Sequence, residues 1–161
     1  MKGFVLILFI LICSSTVQAS APVEDSLNTK ADSLVNFAKT LVGTTYKWGG
    51  TLPSGGFDCS GFCYYVFRKF KVKVPRSSSS YGTKGVEVDI KNAKKGDVIL
   101  FTGTDATKRT IGHVGIVISE INKPLQFIHS SSSKKHYGVT VTRYDGSNYP
   151  KRFMKIVRVI K

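Results

Sequence analysis

An α+β fold, in which a helix with a thiol at its start packs on an antiparallel sheet of about five strands, is what this 161-residue sequence predicts. Three observations carry it. Behind the turn-rich stretch Trp48-Gly49-Gly50-Thr51-Leu52-Pro53-Ser54-Gly55-Gly56, the residues Phe62, Cys63, Val66, Phe67 and Phe70 recur at helical spacing, with Arg68, Lys69 and Lys71 on the other side. Two apolar runs, residues 113–118 and 125–129, flank Glu120-Ile121-Asn122-Lys123-Pro124 and read as a hairpin. Three further short runs, at 98–102, 139–144 and 154–160, supply the remaining strands.

Taken in order, the chain opens with Lys2, an apolar run from Phe4 to Ile12, and small and polar residues ending Val17-Gln18-Ala19, which together read as a secretory signal over residues 1–19. Such a run is too short to cross a hydrocarbon core of about 30 Å, so the segment is expected to be removed after Ala19 and the protein exported with no transmembrane anchor. Cys13 lies in this leader. The bulky Ile12 before it and the Ala19-Ser20 junction after it argue against a lipid-modified cysteine. Residues 20–40 then read as a polar, flexible lead-in over 21–28 and a first helix, patterned by Ala31, Leu34, Val35, Ala38 and Leu41 and stopped by Gly43. Residues 41–161 form one domain with no internal repeat. Within it Pro75 closes the thiol helix, and Arg76–Gly85 is a serine-rich loop with a short helix beginning among Ser77–Ser80, long enough to wall a cleft. Lys94-Lys95-Gly96-Asp97 turns the chain into the 98–102 strand, with Asp97 as a turn-stabilising acceptor. Gly103–Thr110 is a polar loop bordering His113.

The chemistry-bearing residue in this layout is Cys59. Unpaired N–H groups and a partial positive charge at a helix start favour thiolate over thiol, and such positions lower a cysteine from about 8.5 to roughly 3.5–7.5. A hairpin centred on Ile121 sets His113 directly opposite His129, with Cβ atoms about 4.5–5.5 Å apart, Gly115 opposite Phe127 and Val114 opposite Ile128. Both imidazoles then share one sheet face, turned to the helix. A thiol, a base and an orienting group are the parts of assisted covalent catalysis. His136, in a run of serines and lysines, reads as a solvated loop residue. Without Cys13 only Cys59 and Cys63 remain, which excludes a disulfide framework. Four apart on one helix, they are expected to stay reduced, with Cys63 a buried small hydrophobe. A competing reading joins Cys59, Cys63, His113 and His129 in a tetrahedral zinc site, for which two thiols at this spacing on a helix are poorly suited. A further alternative keeps the fold and drops catalysis, leaving a binding module, which has no physical need of all three of Cys59, His113 and His129.

These residues resemble the NlpC/P60 cysteine peptidases of bacterial cell walls. The resemblance is carried, in order, by Tyr46-Lys47-Trp48-Gly49-Gly50, Phe57-Asp58-Cys59-Ser60-Gly61-Phe62, Gly96-Asp97-Val98-Ile99-Leu100-Phe101, Gly112-His113-Val114-Gly115-Ile116-Val117, Phe127-Ile128-His129 and Gly138-Val139. It implies a papain-like domain in which Cys59 is the nucleophile, His113 the base and His129 the third member that orients it. It also implies a substrate cleft lined by Tyr46, Asp58 and Ser60, with Asp58 meeting an amino group of the peptide. The substrate class it implies is the stem peptide of peptidoglycan, cut between D-glutamate and the diamino acid or at a cross-link, with no cofactor and no metal.

The charge balance of +14 points to an anionic partner. An exported chain with no nucleic-acid-binding motif fits anionic envelope polymers or lipid headgroups better than nucleic acid. The expectation is an exported, monomeric cell-wall hydrolase.

Overall fold

The computed structural model describes residues 21–161, so the leader at 1–19 and Cys13 lie outside the described residues. Helix α1 runs Ala21–Thr40. The segment expected as a flexible lead-in is therefore helical. Pro22 sits in the first turn, where its missing N–H costs nothing and its fixed φ suits a helix. The face spaced by Ala31, Leu34, Val35 and Ala38 is buried as the pattern requires. Gly43 follows the end at φ 89°, a backbone state glycine adopts without strain, and its N–H bonds Val139 O at 2.9 Å.

Strands β1 (Thr51–Leu52) and β2 (Gly56–Phe57) form a small hairpin leading into helix α2 (Cys59–Lys69). Helix α2 buries Phe62, Cys63, Val66 and Phe67, and the chain leaves it through Lys71 at φ 57°. The serine-rich segment makes a short 3-10 turn at Ser78–Thr83. Strands β3 (Val86–Val88), β4 (Val98–Thr102), β5 (Ile111–Val117), β6 (Gln126–Ser131), β7 (Gly138–Arg143) and β8 (Phe153–Arg158) form one antiparallel sheet in the order β3-β8-β4-β5-β6-β7. A helical turn, α3 (Tyr149–Arg152), precedes β8. The sheet has six strands where about five were expected, because β3 is an edge strand of three residues, too short for an alternating pattern to mark it. Asp97 acts as expected: its Oδ2 accepts from Lys94 N at 2.9 Å, and its carboxylate also pairs with Arg158 on β8 at 2.8 Å.

The sheet separates two cores. On one face Val114, Ile116 and Ile128 pack with α1 and α2. On the other, Ile99, Phe101, Val117, Phe127 and Ile156 pack together under Tyr149 and Phe153. The β5–β6 register corrects the sequence reading. Ile116 opposes Ile128 and Val117 opposes Phe127, so the hairpin is centred on Asn122 and not on Ile121. Asn122 takes φ 62° at the turn, a left-handed state that asparagine tolerates better than β-branched isoleucine. His113 is thus displaced by two residues from direct opposition to His129. An even displacement keeps both on one face, since side chains alternate with period two.

That face is not the one α2 covers. Val114 alternates with His113 and Ile128 with His129, so the imidazoles lie among the aromatic groups of the second core.

Candidate active site

The start of α2 is built by its own first residues. Asp58 caps the helix, its Oδ1 accepting from Gly61 N at 2.6 Å and from Ser60 Oγ at 3.1 Å. Phe57, fully buried, packs edge-on against Phe62 with ring centroids 5.8 Å apart, and its carbonyl accepts from Ser130 Oγ on β6 at 2.7 Å. Cys59 is thereby fixed against the sheet beside Val114. Its position was expected to lower the thiol, and the surroundings do the reverse. Burial, and then the Asp58 carboxylate, push it up, against the backbone amides of Val114, Ser60 and Cys59 itself, which pull it down.

Strands β5 and β6 place the histidines. His113 Nε2 and His129 Nδ1 are 2.9 Å apart, with the rings nearly perpendicular, and His129 Nε2 lies 3.0 Å from Thr142 Oγ1 on β7. The tautomers follow by elimination if His113 is to accept a proton. Its Nδ1 must then be bare, so Nε2–H donates to His129 Nδ1, and His129 Nε2–H donates to Thr142 Oγ1. Burial drives the His113 imidazole down to about 3, with the positive charge of Arg152 adding to the effect. His129 is held well below its usual value by burial and by His113. A raised thiol and lowered imidazoles make a neutral resting pair.

Cys59 and His113 line one cleft of about 490 Å³. One wall carries Asp58, Ser60, Arg76 and Ser78, and the other Gly103, Thr104, Gly112 and Arg152, with Tyr46 and Trp48 also on the lining. Tyr46, Asp58 and Ser60 all lie on the lining of this cleft. The Asp58 carboxylate, expected to meet a substrate amine, is already gripped by Arg76 at 3.1 and 2.7 Å, and Arg76 also donates to Ser60 Oγ at 2.9 Å. Tyr46 packs edge-on against Tyr137, and burial together with Cys59 and Asp58 raises its hydroxyl. Cys63 is fully buried in the core and does not reach the cleft, which removes one ligand from the zinc reading. His136 is exposed, as expected.

Four contributors escaped the sequence. Arg76 follows Pro75 in a serine-rich stretch and looks like any surface cation. Thr142 is one of many strand threonines, and only the β6–β7 pairing brings it to His129. Tyr149 stacks near His113 with centroids 5.8 Å apart, and Arg152 sits 5.0 Å over the Tyr149 ring. Both fall in a segment with no strand or helix pattern of its own.

The NlpC/P60 family model matches residues 43–158. A protein of Bacillus subtilis named gamma-DL-glutamyl hydrolase is 33% identical over 148 residues, covering 92% of this chain and 34% of that protein. Another from the same organism, named "Probable peptidoglycan endopeptidase LytE", is 39% identical over 129 residues, covering 80% of this chain and 34% of its own length. The chain therefore spans about a third of the curated relatives it matches. A crystal structure of an NlpC/P60 family protein from Bacillus cereus superposes with a TM-score of 0.72 at 30% identity, covering 81% of this chain and 40% of that one.

Proposed function

The chain belongs to the NlpC/P60 family, and on that premise we propose that it is an exported cysteine endopeptidase that hydrolyses stem peptides of bacterial peptidoglycan. The observation that carries this reading is the shared cleft of Cys59 and His113, with His113 hydrogen-bonded to His129 and His129 to Thr142. The names of the relatives favour a γ-glutamyl bond, so the scissile amide is read as the one between D-glutamate and the diamino acid.

The chemistry proceeds in two halves. Cys59 Sγ attacks the amide carbonyl as its proton passes to His113 Nδ1, forming the C–S bond and a tetrahedral oxyanion. The N–H of Cys59 at the helix start is the donor for that oxyanion, a contribution typically worth about 2.7–4 kcal/mol in the transition state. Collapse breaks the C–N bond, and His113 returns the proton to the leaving amine. Water, deprotonated by His113, then attacks the thioester and releases Cys59 as a thiol. His129 keeps His113 in the required tautomer and helps disperse the imidazolium charge. Tyr46, Asp58 and Ser60 bind the peptide, with Arg76 fixing the Asp58 carboxylate. The basic surface concentrates the enzyme on anionic envelope polymers.

The test is digestion of purified peptidoglycan by the chain from Ser20 onward, with mass analysis of the fragments, beside Cys59→Ala and with excess chelator. Cleavage that survives chelator and is lost in Cys59→Ala is expected, and fragment masses identify the bond. Absence of fragments from folded protein overturns the peptidase, and loss with chelator returns the reaction to a metal.

A further inference from the structure

The geometry points to Arg152 as the recognition element for a free carboxylate on the leaving-amine half of the substrate. The inference deepens the peptidase reading above and rests on it.

Among the described residues, three formally charged side chains line the cleft: Asp58, Arg76 and Arg152. Arg76 and Asp58 satisfy each other as a two-pronged pair on the Cys59 wall. Arg152, beside His113, makes no ion pair among the described residues. Its guanidinium is held by Nη2 donating to Thr102 O at 2.9 Å and by its place over the Tyr149 ring, while Nε is buried without a hydrogen-bond partner. The guanidinium charge is thus held at the cleft lining with no carboxylate opposite it among the described residues, which is unfavourable until an anion pairs with it. The guanidinium fork is matched in shape to a carboxylate.

The side of the scissile bond follows from the chemistry. His113 protonates the departing nitrogen, so the leaving residue lies against the His113 wall. The rest of that wall is Gly103, Thr104 and Gly112, and the backbones of Gly103 and Gly112 pack so closely that a Cβ on Gly112 would come within 2.7 Å of Gly103 Cα. Among the described residues lining that side, Arg152 is therefore the one formal charge a leaving residue meets. The ligand class is a peptide whose leaving residue carries a free carboxylate, a diamino dicarboxylic acid in preference to lysine. A carboxylate on Arg152 also offsets the positive charge that opposes proton uptake by His113, so the preference extends into kcat and is not confined to KM.

The experiment compares three γ-D-glutamyl peptides that differ only in the leaving residue: meso-diaminopimelate, the same residue with its side-chain carboxylate amidated, and L-lysine. Wild-type kcat/KM is expected to be about 10–100-fold higher for the free carboxylate than for its amide. In Arg152→Gln that ratio falls to near unity, and Arg152→Lys keeps part of it. Equal wild-type rates on carboxylate and amide, or a preference that survives in folded Arg152→Gln, overturns the assignment. Should Arg152→Gln fail to fold, the wild-type ratio still decides. If wild type cleaves none of the three, the peptidase reading fails by itself. Calorimetric binding of the same peptides to Cys59→Ala, with and without Arg152→Gln, then judges Arg152: tighter binding of the carboxylate that requires Arg152 supports it, and equal binding overturns it.

Discussion

The relay from His113 through His129 to Thr142 makes distinct demands on each member. With His113 as the base proposed above, His113→Ala is expected to lower kcat by about 10²–10⁴-fold. Thr142→Val removes one hydrogen bond from the far end of the relay, about 1 kcal/mol, and is expected to lower kcat roughly five-fold with KM unchanged. Single-turnover and steady-state kinetics on one soluble peptide measure both. Burial of the pair also has a signature in stability. An unfolded histidine titrates near 6.5, whereas folded His113 is held at about 3. Between those values the unfolded chain binds a proton that the folded chain refuses, so stability is fully present above pH 6.5 and is lost as pH falls toward 3. For His113 alone the loss from pH 7 to pH 5 is about 2 kcal/mol. Urea unfolding at both pH values should show a larger drop in wild type than in His113→Gln/His129→Gln, and equal drops would contradict a buried neutral pair. Cys59, His113 and His129 were legible in the sequence because each sits in a recognisable apolar frame. Arg76, Thr142 and Arg152 were not, since nothing in their neighbours marks which groups they meet.

At the level of elements, two glycines hold the site by leaving space. A Cβ on Gly61 would run into the carbonyl of Gly50 and lie 3.1 Å from Asp58 Oδ1, so the entry loop and the cap of α2 are packed against a hydrogen atom. Gly61→Ala is expected to destabilise by about 1–3 kcal/mol and to lower activity, because relief requires moving the cap beside Cys59. Gly115 is the counterpart on β5, where a Cβ would meet the Phe127 ring at 2.8 Å and His129 Cβ at 3.2 Å. Gly115→Ala should displace His129 and lower kcat by up to about 10²-fold, with a smaller effect on stability. Thermal unfolding alongside kinetics separates the two, and unchanged kcat in folded Gly115→Ala would mean that His129 is not positioned through this contact. The expectation that Gly115 makes room for Phe127 holds even though the register beneath it shifted. The partner is diagonal, not opposite, because the turn is centred on Asn122. Turn geometry is set by one or two dihedral angles and leaves little trace in the apolar pattern. The short edge strand β3 and the helical Ala21–Asn28 were missed for a related reason, being too short or too polar for periodicity to report them.

For the molecule as a whole, the charge of +14 is unevenly spread along the chain: between Asp58 and Glu87 there are six lysines and arginines and no acidic residue. If this surface gathers the protein onto anionic polymer, the proposed release of fragments from intact walls should fall as salt rises from about 0.05 to 0.5 M, since the screening length shrinks from over 10 Å to a few ångströms. Cleavage of a small soluble peptide should change much less over the same range, and equal salt sensitivity would remove the surface from the account. Among the described residues no helix is long and apolar enough to cross a membrane. By itself the sequence determined that the fold is α+β, that a thiol begins a helix behind a glycine-rich turn, and that two histidines share a strand face, because periodicity and local turn chemistry are properties of neighbouring residues. Only the tertiary structure decided which face the histidines occupy, that burial raises the Cys59 thiol, and that Arg76 is spent on Asp58 while Arg152, bonded to a backbone carbonyl, has no ion pair among the described residues. Burial and charge pairing are sums over groups distant in the chain, and those sums exist only once the chain has closed on itself.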